Sequence, residues 1–402
     1  DDIKTIANHR HWVGNQWNQA DRDSSDDVGG GHAHSGAMIY LGGKWPAKYR
    51  DQLFMNNIHG DRLNQDVLAV AGSGYVGDRA PDFCLANDAA SQMLYLRYGP
   101  DGDVYVIDWY DTNECHRTDI EVHDRSNGRI FKISYDGPDA GKPKGFLLKP
   151  GQNLKDLPSE RLVELLLHEN DWYVRHARRL LQERGADAKV QEAIANLAFG
   201  HGDETRRLRG LWALHAVGGL TPERLAKAFE DESPYVRGWA IRLALDGKQP
   251  SDTLLERFVA LARGDDSPVV RLYLASAAQR LPLEDRWDLL AALLTHPEDE
   301  GDHNLPLMYW YAAEPLAAAD MGRALALVEN SAVPLVREYT LRRIADTGSE
   351  AAVAFLVTAL GKAEAPERRR EFLAAINEAL KGRRSFPMPK AWAGVYAALA
   401  AD

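Results

Sequence analysis

The sequence predicts a β plus α multidomain chain, with short antiparallel sheets first and an array of paired helices after them. Residues 35–137 break into short apolar or alternating runs between turn residues. From Leu157 onward apolar residues recur at helical spacing, and an arginine returns every 31–34 residues through most of that half. A side-chain period of two belongs to strands and one of 3.6 to helices, so the two halves are different structures. The expected division is an irregular leading segment at 1–34, sheets at 35–137, a linker at 138–156 and helical repeats at 157–402.

The first segment, "DDIKTIANHRHWVGNQWNQADRDSSDD", has no basic start, apolar core or small-residue cleavage site, and so does not read as a signal peptide. The runs "AMIYL", "QLFMNNI", "RLNQDVLAV", "MLYLRYG", "DVYVIDWYD" and "GRIFKISYDG" read as strands, and "GPDGD" (99–103) as a turn set by proline and glycine. Short strands at this spacing describe β-propeller-like antiparallel sheets. A four-stranded blade takes about 40–45 residues, so 35–137 holds about two.

In the second half the arginines Arg175, Arg206, Arg237, Arg271, Arg337 and Arg368 align, spaced 31, 31, 34, 66 and 31. The interval of 66 spans two units whose intermediate arginine is replaced near Asn304. Two amphipathic helices per unit of that length are the signature of an α-solenoid. Asp171, Ser233 and Ser267 stand where helix N-caps belong, with Pro234 and Pro268 in the first turn. Buried arginines are normally paired, so the ladder reads as structural. "PEDEGDHNLP" (297–306) reads as the least regular joint, and a closing helix is expected near Pro389–Ala400.

The 402 residues are 45% hydrophobic and 27% charged, ample for packed cores. No run of about 18 apolar residues occurs, so no transmembrane segment is expected. The net charge is −11, and residues 1–140 hold 22 acidic against 13 basic side chains. An acidic front half speaks against nucleic acid, whose phosphates need a basic face. Two cysteines, Cys84 and Cys115, cannot make a four-thiolate zinc site, and without C-x-x-C-H there is no haem on this chain. They read either as a disulfide in an exported protein or as two small buried hydrophobes.

Read together, "GGGHAHSGAMIYLGGKWPAKYRDQLFMNNIHGDRLN", "GSGYVG", "DFCLAND", "LRYGPDGDVYVIDWYD", "ECH" and "HDRSNGRIFKI" closely resemble one protein group. These are the membrane-associated "dehydrogenase" proteins of planctomycete and verrucomicrobial bacteria. In them a propeller similar to glucose and sorbosone dehydrogenases precedes HEAT-like repeats, and many end in a c-type cytochrome domain. The likeness runs from about His9 to Gly137, with the "Ser-Pro, Val-Arg" helices of 157–382 resembling HEAT repeats. It implies an exported, periplasmic or envelope-associated protein, a pyrroloquinoline quinone cofactor in a longer parent, and Ca²⁺. It also implies that this chain is the C-terminal part of a longer protein or a reduced form.

His32 and His34 lie two apart after three glycines, so on a strand they share a face and can contact a cofactor or metal; the bland reading is a loop hydrogen-bonded to its own backbone. His59, with Asp61 and Arg62, ends one strand run. The resemblance suggests a general-base histidine there, set against a turn-stabilising one. "DWYDTNECHRTDIEVHDRSNGR" offers Asp108, Asp111, Asp119 and Asp124 as oxygen ligands for Ca²⁺. Its rival reading is an acidic loop held by Arg117, Arg125 and Arg129. Trp12, Trp17, Trp45 and Trp109 are either sugar-stacking rings or core. "GSGYVGDRAPDF" matches no phosphate-binding pattern and no nucleophile elbow occurs, so nucleotide and serine-hydrolase chemistry are set aside.

Two functions follow. One is a binding or scaffold region whose partners are the remaining blades, a partner chain, a second copy or a carbohydrate. The other is quinone- and Ca²⁺-dependent oxidation of sugars or polyols, active only with the rest of the propeller.

Overall fold

The computed structural model describes residues 34–58, 60–88, 90–111, 124, 126–138, 140–141, 147–247, 249–347 and 349–400. Antiparallel sheets fill the N-terminal part and fifteen α-helices, counted among the described residues, follow them. The chain divides into two compact units, one of Asp1–Val70 with Tyr75–Leu220 and one of Ala71–Gly74 with Thr221–Asp402.

In the first unit, β1 (His34–Ile39), β2 (Leu53–Asn57), β3 (Arg62–Ala71) and β4 (Gly74–Arg79) form one sheet in chain order, with β5 (Cys84–Leu85) also paired to β3. A second sheet holds β6 (Ser91–Tyr98), β7 (Val104–Tyr110) and β8 (Arg129–Ile133) in order. Met38, Phe54 and Leu63 from the first sheet and Met93, Leu96, Val104 and Val106 from the second share one buried core. Trp45 organises it, stacked between Tyr40 at 4.5 Å and Phe83 at 4.7 Å. It is a core residue.

Strand β1 lies along β6 in the same direction. Ser35 Oγ donates to Met93 O (3.3 Å) near their starts, and Tyr40 Oη donates to Gly102 O (2.7 Å) beyond their ends. The two sheets therefore have a common starting end and a common finishing end. At the finishing end the Gly99–Asp103 turn is read by a helix. Asn170 Nδ2 donates to Gly99 O (2.9 Å) and Pro100 O (3.1 Å) while its Oδ1 accepts from Trp172 N. Asn170, not Asp171, is thus the N-cap of that helix.

The helices of the first unit are α1 (Ser159–Leu165), α2 (Asp171–Arg184), α3 (Ala188–Gly200) and α4 (Glu204–Ala216). Leu162, Leu165, Leu166, Val174, Ala177 and Leu181, spaced for one helical face each, meet in their core. Those of the second unit are α5 (Pro222–Ala228), α6 (Pro234–Ala244), α7 (Asp252–Gly264), α8 (Pro268–Ala278), α9 (Trp287–Leu293), α10 (Leu305–Ala319), α11 (Met321–Glu329), α12 (Pro334–Asp346), α13 (Glu350–Leu360), α14 (Pro366–Leu380) and α15 (Trp392–Ala400). Successive helices pair, and the second members α6, α8, α10, α12 and α14 pack against one another in order.

One device recurs before the second helix of every pair but the last, where Ala363 holds the leading position. A side chain two residues ahead of the N-cap accepts the N-cap's backbone N–H. The pairs are His168–Asn170 (2.9 Å), His201–Asp203 (3.0 Å), Asp231–Ser233 (2.8 Å), Asp265–Ser267 (3.0 Å), Asp302–Asn304 (2.8 Å) and Ser331–Val333 (3.1 Å). Ser233 and Ser267 hold the N-cap position without a side-chain capping bond. The carbonyl of the same leading residue takes an arginine six residues on, as in Asp231–Arg237 (2.7 Å), Asp265–Arg271 (3.0 Å) and Ser331–Arg337 (3.2 Å). His201–Arg207 (3.0 Å) and Ala363–Arg369 (2.8 Å) repeat it.

This shifts the ladder from its expected register at both ends. Arg207 and Arg369, rather than Arg206 and Arg368, occupy the equivalent place, and Val174 rather than Arg175 holds it in α2. The missing rung is Met308, six residues after Asp302, whose N–H donates to the Asn304 carbonyl (3.0 Å) as that of Arg237 does to Ser233 (3.1 Å) and that of Arg271 to Ser267 (3.2 Å). The guanidiniums also reach forward: Arg237 pairs with Asp265 (2.7 Å), Arg271 with Asp299 (2.6 Å) and Arg337 with Glu371 (2.8 Å).

Asp302 is also bonded by Ser73, whose N and Oγ each donate at 2.7 Å. Burial raises its pKa, but the bonds from Ser73, Asn304 and Leu305 outweigh that and hold it below the usual carboxylate value. A depressed folded pKa adds stability above the unfolded carboxylate value and loses it as pH falls through the folded one. Asp302→Asn should therefore lower stability near neutrality, cost little in strong acid and so flatten the acid limb of an unfolding-versus-pH curve; an unchanged acid limb would count against this.

Candidate functional site

The common starting end of the two sheets is where the buried polar side chains collect. Its first half is built by "NNIHGDRLN". Asn57 Oδ1 accepts Gly60 N (2.8 Å), Asp61 turns the chain at φ +48°, and Arg62 Nε donates to Gly60 O (2.9 Å). Arg62 is almost wholly buried and its Nη1 is bound by Asp82 at 2.7 Å; Asn64 Nδ2 donates to the other Asp82 oxygen at 2.9 Å. His34 pairs in register with Asn57, its Nε2 3.5 Å from Asn57 Nδ2. Burial pushes the Asp66 carboxyl up, opposed by His34 and Arg79.

The second half is built by β6, β7 and β8. Asp108, buried, takes Ser91 Oγ on Oδ1 (3.0 Å) and Arg129 Nε on Oδ2 (2.8 Å). Arg129 also reaches Asp88 at 3.3 Å and lies 3.6 Å over the Tyr110 ring. Asp111 receives Gln92 Nε2 on its carbonyl (2.7 Å) and Asp124 N on its carboxylate (2.9 Å). Asp124 bonds Ser126 and Asn127.

Between the halves two β-bulges meet, at Ser35/Ala37 and Met93/Tyr95. Gly36 stands at φ +56° with the place of a Cβ only 2.6 Å from Leu94 O. Beside it Asn56 is fully buried, and neither its Oδ1 nor its Nδ2 has a hydrogen-bond partner.

The structure thus brings His34, Asp61, Arg62, Asp108 and Asp111 to one end of the sheets. His32, His59 and Asp119 lie outside the described residues, as do Trp12, Trp17, Cys115, Arg117 and Arg125. Trp109 is half exposed, and Cys84 is a half-buried thiol whose pKa burial raises. Sequence reasoning missed Asn56, Asn57, Asn64, Asp82, Ser91 and Gln92. Their signal was polar residues at strand positions where apolar ones are usual.

Calcium needs bare oxygens converging on one point. Both oxygens of Asp108 are engaged by Ser91 and Arg129, and Asp111 and Asp124 bind backbone and side-chain donors. No three His, Cys, Asp or Glu side chains converge as a metal group among the described residues. Of the proposed ligands, Asp108, Asp111 and Asp124 are already bonded, Asp108 to the Arg129 guanidinium, and Asp119 lies outside the described residues. Asp108→Asn should accordingly lower stability by about 2 kcal/mol, the worth of a charge-assisted bond, while a chelator leaves the melting temperature unchanged. A chelator-induced drop would restore the metal reading.

No helix among the described residues is long and apolar enough to cross a membrane. No curated protein matches the chain. Among solved structures, the crystal structure of an engineered protein is 20% identical, with 56% of this chain and 70% of that chain covered at a TM-score of 0.28. Residues 3–137 are similar to a domain of unknown function, DUF7133.

Proposed function

We propose that the chain is a binding and scaffold region of an exported protein related to the sugar dehydrogenases. On this reading its strands form two blade-like sheets of a larger propeller-type array, and its helices form a HEAT-like solenoid. One observation carries the reading. The β6-β7-β8 sheet is apolar on both faces. Val104 and Val106 enter the core, while Tyr95 (48% exposed), Ile107 (49%), Trp109 (48%) and Ile130 (73%) cover the other face. The register sets Tyr95 beside Ile107 and Ile107 beside Ile130, one row across three strands. Sheets apolar on both faces are those sandwiched on both faces, and exposed patches of this kind mark interaction sites. A further sheet, from the remaining blades or a partner chain, fits that row.

The test is sedimentation velocity over a concentration series. The chain should self-associate or take up its partner through this face, and Ile107→Lys with Ile130→Lys should abolish that while helical circular dichroism stays constant. Supplied with the quinone and Ca²⁺, the chain should show no dye-linked sugar oxidation. A concentration-independent monomer that turns over sugar would defeat the proposal.

A further inference from the structure

An open cleft of about 610 Å³ lies across α6, α8 and the start of α10, lined by Arg242, Leu272, Tyr273, Ser276, Arg280 and Met308 among others. Its charge is one-sided. Two arginines line it and no carboxylate does, on a chain whose net charge is −11.

Both arginines are presented rather than consumed. Arg280 is anchored through Nη2 to Leu245 O at 2.7 Å and Nη1 to Arg242 O at 3.4 Å, which fixes its plane. Arg242 is exposed and lies 4.8 Å over the Trp239 ring. Trp239 in turn is 6.4 Å from Tyr273, whose ring packs so close to α6 that a Cβ at Gly238 would stand 2.6 Å from it. The aromatic position repeats: Trp239, Tyr273, Trp310 and Tyr339 each follow their helix's ladder residue by two, and Trp310 lies 5.5 Å from Tyr339. The cleft therefore combines guanidinium donors, aromatic faces and an apolar floor of Leu272, Ala277 and Met308.

We propose that this cleft docks an acidic linear peptide, its carboxylates on Arg242 and Arg280 and its apolar side chains on Tyr273 and Met308. Arginine clusters are the recurring reader of acidic motifs because the guanidinium matches a carboxylate in shape and charge. An open cleft crossing two helices suits an extended chain better than a lone ion. The inference stands in the helical unit and does not depend on what covers the sheet face.

Binding of a fluorescein-labelled Glu-Leu-Glu-Phe-Glu peptide to the full chain, followed by anisotropy, tests it. Binding should weaken as salt is raised and be absent for the Lys-Leu-Lys-Phe-Lys counterpart. Arg242→Glu should weaken it about ten- to hundredfold, the worth of a charge-assisted bond, with Arg242→Lys in between. Arg242 is exposed, so its variants should keep their helical circular dichroism; Tyr273→Ala is the second variant and should also weaken binding. Equal binding by wild type and Arg242→Glu would overturn the proposal. So would no binding at millimolar peptide, or full displacement by low millimolar inorganic phosphate, which would make the cleft a small-anion site.

Discussion

Asp299→Ala will destabilise the helical unit by about 3–5 kcal/mol, the cost of stranding a buried charge. Arg271 and Asp299 are each 1% exposed and bind in parallel, Nε to Oδ2 at 2.7 Å and Nη2 to Oδ1 at 2.6 Å. Tyr309 donates to the same Oδ2 at 2.6 Å, and burial together with Asp299 raises the Tyr309 pKa, so the phenol stays a donor. Removing the carboxylate leaves a guanidinium in the core with only Asp265 O (3.0 Å) and Glu298 (3.3 Å) near it. Replacing both partners by apolar groups, Arg271→Met with Asp299→Leu, should cost less than the single change, since no charge is left uncompensated. Arg257→Ala, breaking an exposed pair with Glu230 at 3.5 Å, is the control and should change nothing measurable. Urea unfolding followed by helical circular dichroism reads all three. A loss below about 1 kcal/mol for Asp299→Ala would mean that the site relaxes and admits water.

Gly36→Ala will be comparably severe in the sheet unit, at about 2–5 kcal/mol from left-handed strain and overpacking together. The residue sits at φ +56°, and the added methyl would meet Leu94 O at 2.6 Å and Tyr95 Cα at 2.7 Å. Those are backbone atoms of the facing bulge and cannot swing aside. Gly151 is the matched control: its φ is +80° but nothing lies within 4 Å of a Cβ there. Gly151→Ala should lose only the backbone part, about 1–2 kcal/mol. Equal losses at the two glycines would show that the contact between the bulges contributes nothing.

Much of the architecture was legible because periodicity is a local property. Alternation in "DVYVIDWYD" put Val104 and Val106 on one face, and the structure buries both. The Ser-Pro starts at 233 and 267 placed α6 and α8 to the residue. The limit of that legibility is one residue of register. Arg206 and Arg207 are adjacent in "DETRRLRG", yet one helical step turns a side chain by about 100°. Only the true helix start at Glu204 decides that Arg207 binds the His201 carbonyl. "APERRREF" posed the same choice, settled for Arg369.

By itself, then, the sequence determined that strands come first and helices after, where the Ser-Pro helices begin, and that the arginines of those helices are structural. Each of these follows from residues within one or two turns of one another. The tertiary structure alone decided what those residues meet. "PEDEGDHNLP" read as the least regular joint, yet it supplies Asp299, the most deeply buried carboxylate partner of the ladder, because a charge's value depends on what surrounds it 28 residues away. "DWYDTNECHRTDIEVHD" left Ca²⁺ and arginine as rival partners of its carboxylates, and strand pairing brings Arg129 across from Asp108. The same pairing sets His34 beside Asn57 and Asp108 beside Ser91, gathering at one end of the sheets residues that nothing in their spacing connects. Local pattern is written in neighbours along the chain; a site is written in neighbours across it.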